Sequence, residues 1–260
     1  MDRRNFLKTG GIALLGSLAT GSAMALTTPG ALGGEGADKK AAVALAMNHF
    51  GVSEADLKKV LAAALEKGGD YADLFFEHTI SNSIRLMDGA VNNSYSNIDY
   101  GVGVRVLTGD QSGYAYVENI TVEDMLKAAR TAARIASANK GNKPLNLTEK
   151  ELKKNYYTVA SPWEEVSLKD KMPYLQKLND RIFALDKRVH KVQASQSDTT
   201  SHIFFCNSEG VMFYDYRPMV TLGAVCIMEE DGKTENGYAA RAYRRGFDFP
   251  VSYTHLTLPT

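Results

Sequence analysis

Between Tyr71 and Ala138 the chain alternates. Leu74, Phe76, Ile84, Leu86, Val102, Val104 and Val106 are separated by polar residues or glycine, the period of two expected of strands with one buried face. Asp88-Gly89 and Thr108-Gly109-Asp110 punctuate these runs at hairpin spacing, and both use residues that tolerate the backbone of a tight turn. The pattern predicts an antiparallel meander. Past it the period lengthens: Met125, Leu126, Ala129, Ala133 and Ala136 form a helical stripe behind Ile120 as staple and Thr121 as N-cap, with Glu123 and Asp124 at the positive helix end. One helix therefore closes the meander over its apolar face, while Lys127, Arg130 and Arg134 fall off the stripe onto a solvated side.

The flanking segments repeat this pattern. Upstream, Ala41 to Phe50 reads as a short helix, and a second follows Gly51, with Ser53 as N-cap, Asp56 three residues on and Val52 placed to staple Leu57. Its face is Leu57, Val60, Leu61, Ala64 and Leu65, and Gly68-Gly69 stops it. Downstream, Gly141 to Pro162 is a polar connection with a Tyr156-Tyr157 pair, and Trp163 serves as a packing anchor at a seam. Ser167 to Asp186 is helical by the spacing of Leu168, Met172, Leu175, Leu178, Ile182 and Leu185; Pro173 either kinks this helix or sits in its first turn if it begins near Asp170. From Val189 strands return, and Ile203 to Gly210 corresponds loosely to Ile84 to Gly89.

A duplicated α+β unit and one continuous sheet both fit this order. Unpaired edges are an aggregation liability, which favours the second: an α+β fold with one curved antiparallel sheet, built from two helix-plus-meander halves, with helices covering one face. The expected divisions are an export signal at 1–25, a leader and short helix at 26–52, a first unit at 53–160, a second at 161–250, and a foreign tail at 251–260.

With 44% apolar residues in a length of 260, the chain has ample material for a core. Its 30 basic and 30 acidic residues balance, and cleavage of the first 25 residues, which removes Arg3, Arg4, Lys8 and Asp2, leaves it slightly acidic. Nothing here suits a nucleic-acid partner. Arg3-Arg4-Asn5-Phe6-Leu7-Lys8 resembles the twin-arginine export motif, and the short apolar run Ile12 to Ala25 ends in Ala23-Met24-Ala25, an A-x-A cleavage site. That run is short for a ~30 Å hydrocarbon core, so no stable membrane span is expected after cleavage, and the expected location is the periplasm. The last ten residues, VSYTHLTLPT, resemble the translation of a transposon-end sequencing adapter; the natural frame is expected to part from this sequence at or just before Pro250, and His255 carries no functional weight.

The order YADLFFEH, DG, D-x-GVGVRV, then G-x-x-x-GYAY before a helix closely resembles the N-terminal domain of the TldD/PmbA family, most sharply from Tyr71 to Ala129. The resemblance implies a zinc metallopeptidase with an HExxxH motif, working in pairs of related subunits, homo- or heterodimeric, on peptides or unfolded polypeptides. No HExxxH occurs in these 260 residues. The chain is thus expected to bind no zinc itself, and no catalytic, cofactor-binding or metal-ligating residue is assigned in it. A non-catalytic partner subunit and a stand-alone exported binding module remain alternatives, although GVGVRV and GYAY stand nearer the catalytic branch.

Other chemistry reads blandly. Gly109 to Gly113 encloses Ser112 but has no base and orienting acid in a matching context, so it is a turn. Gly101 and Gly103 lack the third glycine of a dinucleotide fingerprint and are expected to admit a neighbour or a bend. Glu77 and His78 point to opposite faces of a strand. The spacing of Asp198, His202 and Cys206 matches no zinc module. Cys206 and Cys226 read as buried free thiols, and Glu229-Glu230-Asp231-Gly232 as a charged hairpin tip. Gly237 to Phe247, rich in arginine, reads as a solvated basic strand, with the lining of a substrate cavity as the alternative.

Overall fold

The computed structural model describes residues 39–136, 147–149, 159 and 161–247. The export signal, the leader to residue 38, the Tyr156-Tyr157 pair and the final ten residues lie outside them.

Helices α1 (Lys39–Phe50) and α2 (Glu54–Leu65) lead into the strands β1 (Tyr71–Met87), β2 (Ala90–Thr108) and β3 (Gln111–Val117), and α3 (Val122–Ile135) follows. After the two-residue strand β4 (Thr148–Glu149) and a 3₁₀ turn (Trp163–Glu165) come α4 (Leu168–Leu185), β5 (Val189–Asn207), β6 (Val211–Glu230) and β7 (Lys233–Tyr243). The helices start where local chemistry says they should. In α2 the Asp56 carboxylate accepts from the Ser53 amide at 3.1 Å and its hydroxyl at 2.6 Å, while Ser53 Oγ accepts from the Asp56 amide at 3.2 Å, satisfying backbone donors that a helix end leaves unpaired. Thr121 caps α3 through its hydroxyl, which accepts from the Asp124 amide and donates to the Asp124 carboxylate. Asp170 accepts from the Ser167 amide and hydroxyl, so α4 begins at Leu168 and Pro173 sits inside it rather than in its first turn.

The strands join into one sheet in the order β3-β2-β1-β5-β6, with β4 and β7 both on the outer side of β6. Its centre is the antiparallel pairing of β1 with β5, from Asp73 opposite Asn207 to Met87 opposite Gln193. The two meanders therefore share one sheet, as the argument from edges required. β4 departs from the polar connection expected there: it pairs parallel with Val211 and Met212, using backbone groups that β6 would otherwise leave open. Pro218 lies between the β4 and β7 pairings, where, among the described residues, β6 has no outer strand to which a missing N–H would matter. The hairpin turns Asp88-Gly89 and Asp231-Gly232 both have positive φ at both residues, the backbone that matches strand twist.

Even-numbered residues of β1 and β5 face the helices. At one end Ala72, Leu74, Phe76, Phe204 and Cys206 pack with Phe50 of α1, Leu57 and Leu61 of α2 and Met125 of α3. At the other, Ile84, Leu86 and Ala194 pack under Leu175 of α4. Each fully buried leucine or phenylalanine here contributes roughly 1.5–3 kcal/mol. The helices thus cover one face, as expected. The opposite face carries a ladder of hydroxyls across the central pair, Thr79 with Ser201 at 2.8 Å, Ser81 with Thr199 at 3.3 Å and Ser197 to Ser83 at 3.2 Å.

Glycine matters most where α3 meets β3. A Cβ on Gly113 would collide with the Ala132 carbonyl and lie 2.9 Å from the Ala136 amide nitrogen, so the helix backbone rests directly on the strand. Gly113→Ala is expected to cost about 1–3 kcal/mol, read as a lower midpoint in urea unfolding; an unchanged midpoint would show that α3 can lift without penalty. Gly101 is similar, its Cβ falling 2.5 Å from the Val117 carbonyl oxygen, which is the close approach expected of it.

Candidate functional site

Between the two apolar ends of the covered face lies a polar seam. Along β5 the buried even positions read Val192, Ala194, Gln196, Asp198, Thr200, His202, Phe204 and Cys206: four polar residues in succession point at the helices where a strand of this kind carries apolar ones. The antiparallel register sets His78 of β1 directly opposite His202 of β5. The last turn of α1 adds His49, whose ring lies 5.0 Å from that of His78 and 4.7 Å from that of His202, nearly parallel to both. Glu164 reaches in from the 3₁₀ turn, Tyr214 and Tyr216 from β6, and Tyr100 of β2 meets His78 edge-on at 5.3 Å.

The hydrogen bonds fix who carries protons. His202 Nε2 is 3.2 Å from Glu164 Oε2 and its Nδ1 is 2.7 Å from the Tyr214 hydroxyl. An ionised carboxylate only accepts, so Nε2 bears the hydrogen, and in the neutral ring Nδ1 accepts from Tyr214. His49 Nε2 and His78 Nδ1 lie 2.8 Å apart, a contact that requires one of the two facing nitrogens to be bare.

Desolvation holds His49 down to about 4, helped by the charges of His202 and His78 and opposed by Glu164. His78 is lowered too, by desolvation first and then by the charge of His202, with Glu164 opposing. Burial pushes the Glu164 carboxyl up, but the hydrogen bond from His202 and the three imidazoles outweigh it, and the net direction is down. Burial raises Tyr214 and Tyr216. Acid, histidine and hydroxyl thus stand in line as Glu164, His202 and Tyr214, yet the phenol stays protonated and makes no nucleophile. Two imidazolium charges ~5 Å apart would repel by roughly 3 kcal/mol at an effective dielectric of ~20, and by less where His49 meets solvent.

Further along the seam Lys171 of α4 donates to Asp198 at 2.7 Å, with side chains only 5% and 2% exposed. Asn82 and Gln196 also donate to Asp198, at 3.0 and 2.9 Å, and the ammonium stands 5.5 Å from the Trp163 ring centroid. Trp163 donates to the Arg245 carbonyl at 2.6 Å and packs edge-on against Phe247.

Sequence reasoning missed both groups. It weighed His78 only beside Glu77 and His202 only beside Asp198 and Cys206, and the one available signal was the run of polar residues at inward positions of β5. His202 finds Glu164 and Tyr214 as partners rather than Asp198 and Cys206. His78 does lie on the face opposite Glu77, which accepts from Thr79 at 2.7 Å. Gly109-Asp110 is the β2–β3 turn and Asp231-Gly232 the β6–β7 turn, as read. Cys206 and Cys226 are buried free thiols, held in separate apolar clusters. β7 is largely exposed, as expected of a solvated strand, but Arg245 to Phe247 folds back, the Phe247 amide donating to the Ser161 carbonyl at 2.8 Å.

A zinc centre does not fit these residues. Both nitrogens of His202 are committed, to Tyr214 and Glu164, and His49 Nε2 and His78 Nδ1 to each other, and among the described residues no three His, Cys, Asp or Glu side chains are arranged to hold a metal ion. Nor, among the described residues, is any helix long and apolar enough to cross a membrane.

Comparison with known proteins gives two family matches: residues 72–136 to PmbA/TldA metallopeptidase domain 1 and residues 161–257 to the PmbA/TldA metallopeptidase central domain. The metalloprotease TldD homolog of Haemophilus influenzae is 31% identical over 69% of this chain and 38% of its own length. The chain thus spans about two fifths of that relative. Among solved structures, a protein of Thermotoga maritima described as a candidate modulator of a DNA gyrase superposes with a TM-score of 0.59 at 20% identity, covering 74% of this chain and 43% of its own. TldE from Thermococcus kodakarensis gives 0.53 at 14% identity, covering 73% and 43%. Likeness at such identity shows the fold.

Proposed function

The chain belongs to the TldD/PmbA metallopeptidase family, and from that premise we propose that it is the substrate-chamber and subunit-contacting portion of a zinc-dependent peptidase acting on peptides or unfolded polypeptides. The observation that carries this is the paired match to the first and central domains, supported by the 31% identity to a TldD homolog. Zinc and the hydrolytic residues belong to HExxxH, which is absent from the 260 residues, so this portion shapes and presents substrate. A related family subunit is the proposed partner, consistent with the fold shared with TldE. Arg3-Arg4 and Ala23-Met24-Ala25 support export by the twin-arginine route to the periplasm.

Sequencing the genomic locus beyond Phe249 checks the assignment. The expected frame encodes HExxxH within roughly one further small segment, well under the ~100 residues of a typical domain. A frame that keeps the family's later domain without that motif would make the protein the non-catalytic partner subunit instead.

A further inference from the structure

The histidine cluster joins an otherwise lightly attached element to the sheet. α1 rests on the core through Val43, Ala46 and Phe50, and its C-terminal turn is tied in by the contact from His49 to His78 and the stacking of His49 on His202. We propose that this cluster is an acid-operated latch: with the imidazoles neutral, His49 clamps α1 to the sheet, and protonation of His49 and His78 releases it.

The groups around His49 show why charge opens the contact. Facing it are His78 from β1, His202 from β5, Glu164 from the 3₁₀ turn, Tyr214 and Tyr216 from β6 beyond His202, and Tyr100 from β2 beyond His78. Among the described residues Glu164 is the carboxylate whose charge acts on His49 and His78, and it already accepts from His202 and, at 3.5 Å, from Tyr216. A proton added to His49 or His78 therefore gains no carboxylate of its own. When both rings are charged, two N–H groups face each other across the 2.8 Å contact, and the hydrogen bond is replaced by repulsion. Release of α1 would uncover Phe76, whose ring meets Phe50 at a tilt at 5.5 Å, and Phe204, which stacks on it at 6.5 Å.

The sign follows from linkage. His49 sits below its ordinary 6.5 in the docked helix and returns to it when the helix swings free, so the released state binds more protons. Docking is then at full strength above about 6.5 and weakens as pH falls from there toward 4. With the solvent-facing edge of the ring discounted, the released-to-docked ratio is expected to rise about tenfold by pH 5.

Hydrogen exchange of the 260-residue chain at pH 7 and pH 5, corrected for the intrinsic pH dependence of exchange, tests this. Protection of α1 amides should fall about tenfold between the two, while amides of β1 and β5 keep theirs. His49→Gln and His78→Gln, which keep a polar side chain and lose the titration, should each flatten the response of α1. If His49→Gln leaves α1 unprotected already at pH 7, His78→Gln, which alters no residue of the helix, decides the matter. Equal α1 protection at both pH values, simultaneous loss in β1 and β5, or an undiminished response in His78→Gln would each overturn the latch.

Discussion

Lys171→Met is expected to lower the stability of the fold by about 3–5 kcal/mol, the cost of leaving a buried carboxylate without its counter-charge. Asp198 is 2% exposed and, among the described residues, keeps the amide donors of Asn82 and Gln196 once the ammonium is gone. The substitution also removes the cation from above Trp163, although methionine fills much of the same volume. Urea unfolding reads the change. Lys171→Met combined with Asp198→Leu should recover most of the loss, because a buried pair replaced whole by apolar side chains is often neutral or stabilising. A single variant within ~0.5 kcal/mol of the parent, the range of ordinary surface substitutions, would mean that water reaches Asp198 and takes over the role of the ammonium.

Why this pair escaped the sequence while the helices did not is a matter of range. Ser53 with Asp56, Thr121 with Asp124 and Ser167 with Asp170 are separated by three residues, and capping geometry is decided within that span. The alternation of Leu74, Phe76, Val102, Val104 and Val106 is equally local, and the burial of all five follows it. Even the single sheet could be argued, since two meanders with free edges would be worse off than one. The seam needs more. His78 meets His202 only through the β1–β5 register, a one-residue slip of which would turn either ring to the other face, and His49 joins them only because α1 docks there. Lys171 finds Asp198 through the packing of α4 on β5. Gln196, Asp198, Thr200 and His202 at inward positions of β5 did announce that something polar was buried, but not with what. β4 was missed for a related reason: its two residues pair because β6 presents an open edge, not through any preference of Thr148 and Glu149.

Peptide hydrolysis by the protein read from its uninterrupted genomic frame, with and without a metal chelator, bears most directly on the proposed function. The first and central domains match those of a metallopeptidase family, yet the polar seam offers no metal centre among the described residues and the 260 residues carry no HExxxH. On the proposed function, catalysis and substrate presentation separate along the chain. The full-frame protein is expected to cleave an unfolded polypeptide, to lose that activity by about 100-fold or more on chelation, as removal of a metal-activated nucleophile requires, and to regain it with zinc, while residues 1–260 alone cleave nothing. Cleavage by residues 1–260 that persists in chelator, or a full-frame activity indifferent to chelation, would contradict the assignment.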